Sequence, residues 1–343
     1  MSETGPEATM PVQVAPPAQR DGVGAPPLRW NALARPIVAL APMDGFTDSA
    51  FRRVVRRLHP QVILFSEFTS ADGLLRSAKV RSRLDFDPEE HPYFVQLFGN
   101  DPESFAEATR AIEQMGVMGI DINMGCPSKK IVASQHGSGL MRDVAAACRI
   151  VERVAAVGRL QVSVKTRLGW SNTDNLVPFA QSLESAGASL ITIHGRCYDQ
   201  HFKGAADWAP IYRLKDALRV PLLGNGDVRD WEDGRAKQGH LDGFMIGRAA
   251  IGDPWVFSPD YRRNPPSWAE KARAMAEHVR LMCETRPERA AVFEFRKHLT
   301  EYVRGFDDAK SVRRELLAAT DAATLLKGIE ALAWQDRALP RAS

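Results

Sequence analysis

Cys126 stands in NMGCPSKK, directly beyond a β-branched run, beside Pro127 and in a Gly-rich stretch that continues to HGSGLM. A thiol at such a point can serve as an acid or a nucleophile, and Lys129 and Lys130 follow closely enough to favour its thiolate or tune its proton transfer. Cys148 in VAAACRIV and Cys283 in RLMCE lie in helix-like sequence and read as small buried hydrophobes. Lys165 and Arg167, two residues apart in VSVKTRLG, would put two cations on one face of a strand. Burying both is costly unless an anion meets them. A phosphate-bearing ligand would do so; the alternative is a structural network with Asp121, Asp227 or Glu67. Two further segments, GNGD at 224–227 and IGR at 246–248, have glycines that let backbone N–H groups approach an anion.

These residues need elements to hold them. Eight short runs recur from Arg35 onward: 37–43, 62–68, 93–99, 119–125, 162–169, 190–196, 220–227 and 243–250. Amphipathic stretches such as ESFAEATRAIEQM, VAAACRIVERVAAV and LVPFAQSLESAG separate them, with apolar residues three and four apart. Asp101-Pro102 opens one helix, and Gly116, Gly158 and Gly187 stand where left-handed caps would end others. The count and spacing predict an α/β fold, a TIM (β/α)8 barrel over 35–258. An open doubly wound sheet is the weaker alternative, because no GxGxxG follows the first run. From 266 to 339 the pattern is helical and richer in Arg and Ala, which predicts a separate C-terminal domain after the joint PDYRRNPPS.

Strand parity then assigns faces. Gln96 opposes Val95 and Leu97; Asp121 and Asn123 oppose Ile120, Ile122 and Met124; Ser163, Lys165 and Arg167 oppose Val162 and Val164; Thr192, His194 and Arg196 oppose Ile191 and Ile193. The apolar set faces helices, so the polar set points into the barrel, toward the strand ends where barrel enzymes build their sites.

Composition sets the outer bounds. The chain has 343 residues, 44% hydrophobic and 25% charged, the profile of a soluble globular protein. Four cysteines without a CxxC or CxxH pattern argue against zinc fingers, ferredoxin motifs and secreted disulfide scaffolds, and fit a reducing cytoplasm. No apolar run is long enough for a bilayer. Residues 1–34, rich in Pro, Gly and Ala at their start, read as a disordered tail without signal-peptide features. The net charge is only +3, but 16 Lys and Arg face 12 Asp and Glu from Tyr261 onward, so the surplus lies in the helical part.

Seven motifs in order, APMDGFTDSAFR, VQLFG, GIDINMGCPSKK, VKTRLGW, ITIHGR, GNGD and IGRAAIGDPWVF, resemble the tRNA-dihydrouridine synthases, and among bacterial branches most resemble the B-type. The likeness runs from Ile37 to Phe257, and FRKHLTEYV is similar to the family's RNA-binding helical domain. It implies an FMN enzyme that uses NADPH to reduce a D-loop uridine of tRNA. By motif, Ala41, Pro42 and Met43 would line the flavin; Gln96, Lys165 and His194 would bond its ring system or ribityl chain; Asn225, Gly226, Asp227, Gly247 and Arg248 would hold its phosphate end. Asn123 and Arg167 would face the base, and Cys126 would be the general acid. Two positions depart from the pattern: Asp44, where Ala or Glu is usual and which reads as a surface-loop change, and Ser138-Gly139 in the loop after Cys126.

Uridine C5=C6 is conjugated to the C4 carbonyl, so hydride would arrive at C6 and a proton at C5. A thiol, with an ordinary pKa of about 8.5, can stay protonated at neutral pH and still supply that proton. A base inside folded tRNA must be extruded to reach a barrel mouth, which requires a second surface to hold the RNA. Arg296, Lys297 and His298 are the candidates for phosphate contact, with Arg304, Arg313 and Arg314; a solvated helix face is the alternative, because Glu301, Asp307, Asp308 and Glu315 are interleaved. Two rival functions are a flavin-dependent dihydroorotate or dihydropyrimidine dehydrogenase acting on free bases, and a non-catalytic RNA-binding protein that has kept a barrel. No protein partner is evident in the sequence.

Overall fold

The computed structural model describes residues 29–333 apart from 307. Each of the eight runs of the sequence becomes a parallel strand, and a short further one, β3, follows the second run: β1 Ile37–Leu40, β2 Leu64–Phe65, β3 Thr69–Ser70, β4 Tyr93–Phe98, β5 Gly119–Met124, β6 Gln161–Arg167, β7 Leu190–His194, β8 Leu222–Asn225 and β9 Gly243–Ile246. Hydrogen bonding follows the order β1-β9-β8-β7-β6-β5-β4-β2, while the short β3 adds to the end of β4. A bridge between Ala39 and Ile63 joins β1 to β2, with Ile63 N–H donating to Val38 O at 2.9 Å and Leu40 N–H to Ile63 O at 3.0 Å. Eight main strands thus close into a parallel barrel, with helices covering its outside.

The outward face of the strands is the main core: Val95, Leu97, Ile120, Ile122, Val164, Ile191 and Ile193 have no solvent exposure. Helix signals in the sequence are used as expected at several ends. Asp101 caps Pro102–Glu113 by accepting from Ser104 N–H, and Gly116 and Gly187 take the positive φ of a left-handed turn. Gly158 differs: it is extended at φ −132°, so no left-handed cap forms there, and a Cβ would instead press on Thr109.

Inside the barrel the floor is apolar. Trp30, Ile37, Ala39, Ile63, Phe65, Phe94, Leu190, Leu223 and Met245 pack together, with the Trp30 ring stacked on Phe94 at 4.6 Å. This moves the start of the ordered domain. Residues 1–28 of the expected tail lie outside the described residues, but Trp30–Ala32 forms a 3-10 turn and Trp30 is 2% exposed. Burial of its large ring, which would cost about 3–5 kcal/mol to truncate, ties this stretch to the floor.

Beyond the barrel the described residues are helical, in Trp268–Thr285, Glu288–Tyr302, Ala309–Leu317 and Ala322–Ala333; positions 334–339 of the expected domain lie outside them. The second half of this set includes Ala309–Leu317, which periodicity did not single out. Ser267 and Glu270 form a capping box at the first helix. The helices share a core of Met275, Val279, Met282, Phe295, Leu299, Tyr302, Leu325 and Ile329, which Ala50 and Val54 of the barrel helix Ser49–Leu58 complete. The helical unit is therefore docked beside the exit of β1, and an ion pair from Arg286 to Asp48 at 2.9 Å reinforces the seam.

Candidate active site

Above the apolar floor, the inward positions predicted by parity form a connected polar layer. Asp121 accepts from Gln96 Nε2 at 2.6 Å and from Ser163 Oγ at 2.6 Å, and Gln96 Oε1 accepts from Asn123 Nδ2 at 2.9 Å. Lys165 lies two residues above Ser163 on β6 and makes no hydrogen bond or ion pair among the described residues. Burial pushes its ammonium down to about 8, aided by Arg167 and opposed by Asp121. Of the structural network offered as the alternative, Asp121 acts on Lys165 through space without pairing to it, Asp227 is taken by Arg196 and Arg248, and Glu67 by the Gly45 N–H and Arg83.

Cys126 follows β5 in a loop whose backbone is tethered from below. Asn123 Oδ1 accepts from Gly125 N–H at 3.1 Å and from Cys126 N–H at 3.0 Å. Arg167 holds the same loop by donating from Nε to Gly125 O at 2.7 Å, while its Nη1 donates to both Cys197 O and His201 O. Asn123 and Arg167, expected to face a substrate base, thus spend most of their hydrogen-bonding capacity on the protein, leaving one spare N–H on Asn123 and the two N–H groups of Arg167 Nη2 for a ligand. Burial pushes the Cys126 thiol up, against Ser128 N–H and Arg167, and Asp44 adds to the rise. This reverses one expectation. Lys129 is exposed and is not among the charges acting on the thiol, so the site keeps the proton on sulfur.

At the ends of β7, β8 and β9 lies an anion-sized corner. Arg196, 2% exposed, pairs with Asp227 at 2.5 Å and also donates to Gly204 O; Arg248 meets the other Asp227 oxygen at 3.0 Å but remains largely exposed. Gly226 at φ +119° and Asp227 at φ +52° make the turn, which a side chain at 226 would block by meeting Ala206. Burial, with four neighbouring cations, pushes His194 down to about 2, so its ring is neutral. The Arg196 guanidinium beside Nε2 can only donate, which leaves Nδ1 as the N–H, buried and without a partner. Thr192 Oγ1 is likewise unpartnered. Asn225 anchors itself to Met245 O at 2.9 Å. Arg196 and the half-exposed Phe202, which sits under both Arg167 and Arg248, complete this corner. Parity turned Arg196 inward, but nothing in the sequence paired it with Asp227, and no local signal marked Phe202.

The β1 exit supplies the fourth wall. Ala41 is buried, Pro42 and Met43 are half-buried, and a Cβ on Gly247 would reach Ala41 and the Met43 sulfur, so these residues share one surface. Asp44, read from the sequence as a remote surface change, is held by Arg83 at 2.5 Å and is close enough to act on Cys126. The helical unit reaches this wall through Lys297, whose ammonium lies over the Phe46 ring and beside Gly45. Arg296 packs over Phe293 and donates to Ala319 O. His298 is corrected: it has no exposed surface, lying against Phe46, Phe51 and His278, and cannot touch a phosphate. Among the other expected contacts, Arg304 is paired with Glu301 and Arg313 lies near Thr300 O.

The mouth therefore offers an ammonium without an ion pair among the described residues, a neutral imidazole N–H, a glycine turn flanked by cations and a protonated thiol. No group of His, Cys, Asp and Glu among the described residues could hold a metal ion. Residues 39–338 match the family described as dihydrouridine synthase. A probable tRNA-dihydrouridine synthase 1 of Synechocystis sp. is 37% identical over 305 residues, covering 86% of this chain and 86% of the relative. A tRNA-dihydrouridine synthase B of Pseudomonas aeruginosa is 39% identical over 221 residues, covering 64% and 67%. Among solved structures, histamine dehydrogenase from Rhizobium sp. 4-9 superposes with a TM-score of 0.53 at 12% identity, over 90% of this chain and 64% of that one. An old yellow enzyme homologue from Zymomonas mobilis gives 0.50 at 14% identity, over 70% and 93%. At these identities the last two speak for the barrel alone.

Proposed function

The chain belongs to the dihydrouridine synthase family, and on that premise we propose that it is an FMN-dependent tRNA-dihydrouridine synthase driven by NADPH. The observation that carries the reading is a protonated thiol, Cys126, poised at a mouth where the half-buried Lys165 makes no ion pair among the described residues. The residues fit the cofactor. Gly226, Asp227, Gly247 and Arg248 suit its phosphate, with Arg196 holding Asp227 in place; the unpartnered His194 Nδ1 and Thr192 Oγ1 suit its polar chain; Lys165 suits its ring edge, with the fully buried Gln96 supporting the layer behind it, and Ala41, Pro42 and Met43 its apolar side. When bound and reduced, the flavin supplies hydride for uracil C6.

The chain's own residues do the rest. Lys165 would provide positive charge to the bound ring, in a half-buried setting where such a charge acts more strongly than in open water. Asn123 and Arg167 hold the Cys126 loop, so that the thiol stands on the side from which C5 is protonated. Sγ gives up its proton there, and the resulting thiolate is favoured by Arg167 and Lys165. The half-exposed Phe202 and the cations above it offer a stacking surface for an extruded base. Lys297 and Arg296, beside the β1 exit, suit contact with the RNA backbone.

Among the described residues no helix is long and apolar enough to cross a membrane, and the cysteines are free, in keeping with work on tRNA in the cytoplasm. The test uses purified, yellow protein with NADPH and tRNA lacking dihydrouridine. Mass-spectrometric mapping is expected to find a D-loop uridine gaining two hydrogens. Turnover of free uracil or orotate with none on tRNA would overturn the reading.

A further inference from the structure

One unbranched line of hydrogen bonds runs from the barrel core to the catalytic loop. Asp121 Oδ2 accepts from Gln96 Nε2 at 2.6 Å, Gln96 Oε1 accepts from Asn123 Nδ2 at 2.9 Å, and Asn123 Oδ1 accepts from the Gly125 and Cys126 N–H groups at 3.1 and 3.0 Å. All three side chains are buried, Gln96 completely. Chemistry fixes the two ends of the line in one sense, since a carboxylate only accepts and a backbone N–H only donates. Each amide between them has two orientations that exchange oxygen for NH2, and only one orientation of each satisfies both ends.

We propose that Asp121 is a positioning residue for the reaction: its carboxylate sets the orientation of two amides in series and so holds the backbone of Cys126 at the barrel mouth. A neutral group at 121 that can also donate makes the opposite polarity available. Gln96 then turns its oxygen toward 121, its NH2 confronts the Asn123 NH2, and Asn123 must turn its own NH2 toward two N–H groups that it cannot accept from. The loop loses both tethers at once. The second Asp121 oxygen is occupied by Ser163, outside the line, and the charged group acting on the carboxylate among the described residues is Lys165 on β6. Burial pushes Asp121 up to about 6, against the Gln96 and Ser163 hydrogen bonds and Lys165, so the switch from acceptor to donor falls in an accessible pH range.

The inference rests on the proposed function only for what the thiol does once placed; its first test needs no substrate. In the flavin-loaded full chain, amide hydrogen exchange at Gly125 and Cys126 is expected to quicken about tenfold in D121N, while the helix Val144–Val157 keeps its rate. Ser163→Ala, which touches the carboxylate but not the amides, is expected to leave the loop protected. Equal protection in D121N and wild type, or loosening in S163A as large as in D121N, would overturn the inference whatever the enzyme's substrate. With tRNA, D121N is expected to lose about tenfold in kcat with little change in KM, and to lack the acid limb near pH 6 that wild type shows. An identical acid limb in both proteins would also overturn it, while an active wild type would leave the functional reading standing.

Discussion

Several histidines bury nitrogens without partners, and two of the places where this happens mean different things. At the barrel mouth, His194 Nδ1 lies among Lys165, Arg167, Arg196 and Arg248, and Lys165 there makes no ion pair among the described residues. At the seam between barrel and helices, His278 and His298 also have unpartnered nitrogens, but their rings tilt onto Phe51, His278 meets Phe295 edge-on, and the two imidazoles meet edge-on 4.6 Å apart, with Asp48 and Arg286 already paired beside them. The mouth is electrostatically incomplete, so a ligand would stabilise it. The seam is complete as packing, and its imidazoles serve as aromatic rings kept neutral by burial. An unsatisfied buried atom points to a ligand when the surrounding charge is also unsatisfied; otherwise it marks a cost absorbed by packing.

The comparison can be broken most decisively at the mouth. Cys126→Ala should leave reduction of the flavin by NADPH intact while uridine reduction falls by about 10²-fold or more, read by stopped-flow and dihydrouridine mapping. Equal loss in both half-reactions would make the cysteine structural and remove the distinction between the two regions.

At the seam the expected effect is on stability. Burial pushes His278 down to about 4 and His298 well below its ordinary value, so both stay neutral when folded and charge only on unfolding. Their contribution is full above the unfolded value near 6.5 and is lost as pH falls below it, by about 2 kcal/mol for His278 at pH 5. Thermal unfolding of the full chain should therefore fall between pH 7.5 and 5, and His298→Leu should flatten that dependence. A midpoint indifferent to pH would mean these rings are hydrated rather than packed. The smallest effect belongs to Lys297, which joins the two regions: Lys297→Ala should raise KM for tRNA roughly three- to tenfold and lower its salt dependence by about one phosphate, leaving kcat unchanged.

The two regions were also unequally legible. Strand side chains alternate, so the polar residues at 96, 121, 123, 163, 165, 192 and 194 could be turned inward from sequence, and in the structure those at 96, 121, 123 and 163 form one hydrogen-bonded set. Parity gives a face but not a partner. It could not say that Asn123 and Arg167 would bind their own loop, or that Asp44 would stand near the thiol. In the helical part, the run of cations drew His298 into a basic patch, yet Phe295, His298, Leu299 and Tyr302 recur at three, four and seven, the spacing of a buried stripe. That periodicity was the signal, and it competed with a charge cluster that spans every face of the helix. Trp30 escaped because it follows a Pro- and Gly-rich stretch and its stacking partner, Phe94, is more than sixty positions away.

Trp30 also fixes a direction. Because Trp30 is seated in the floor, Arg29 lies at the end of the barrel away from Cys126 and Lys297. A surface tether attached at Arg29 itself would hold the barrel by its back, so that immobilised protein presents its open end to a bulky substrate.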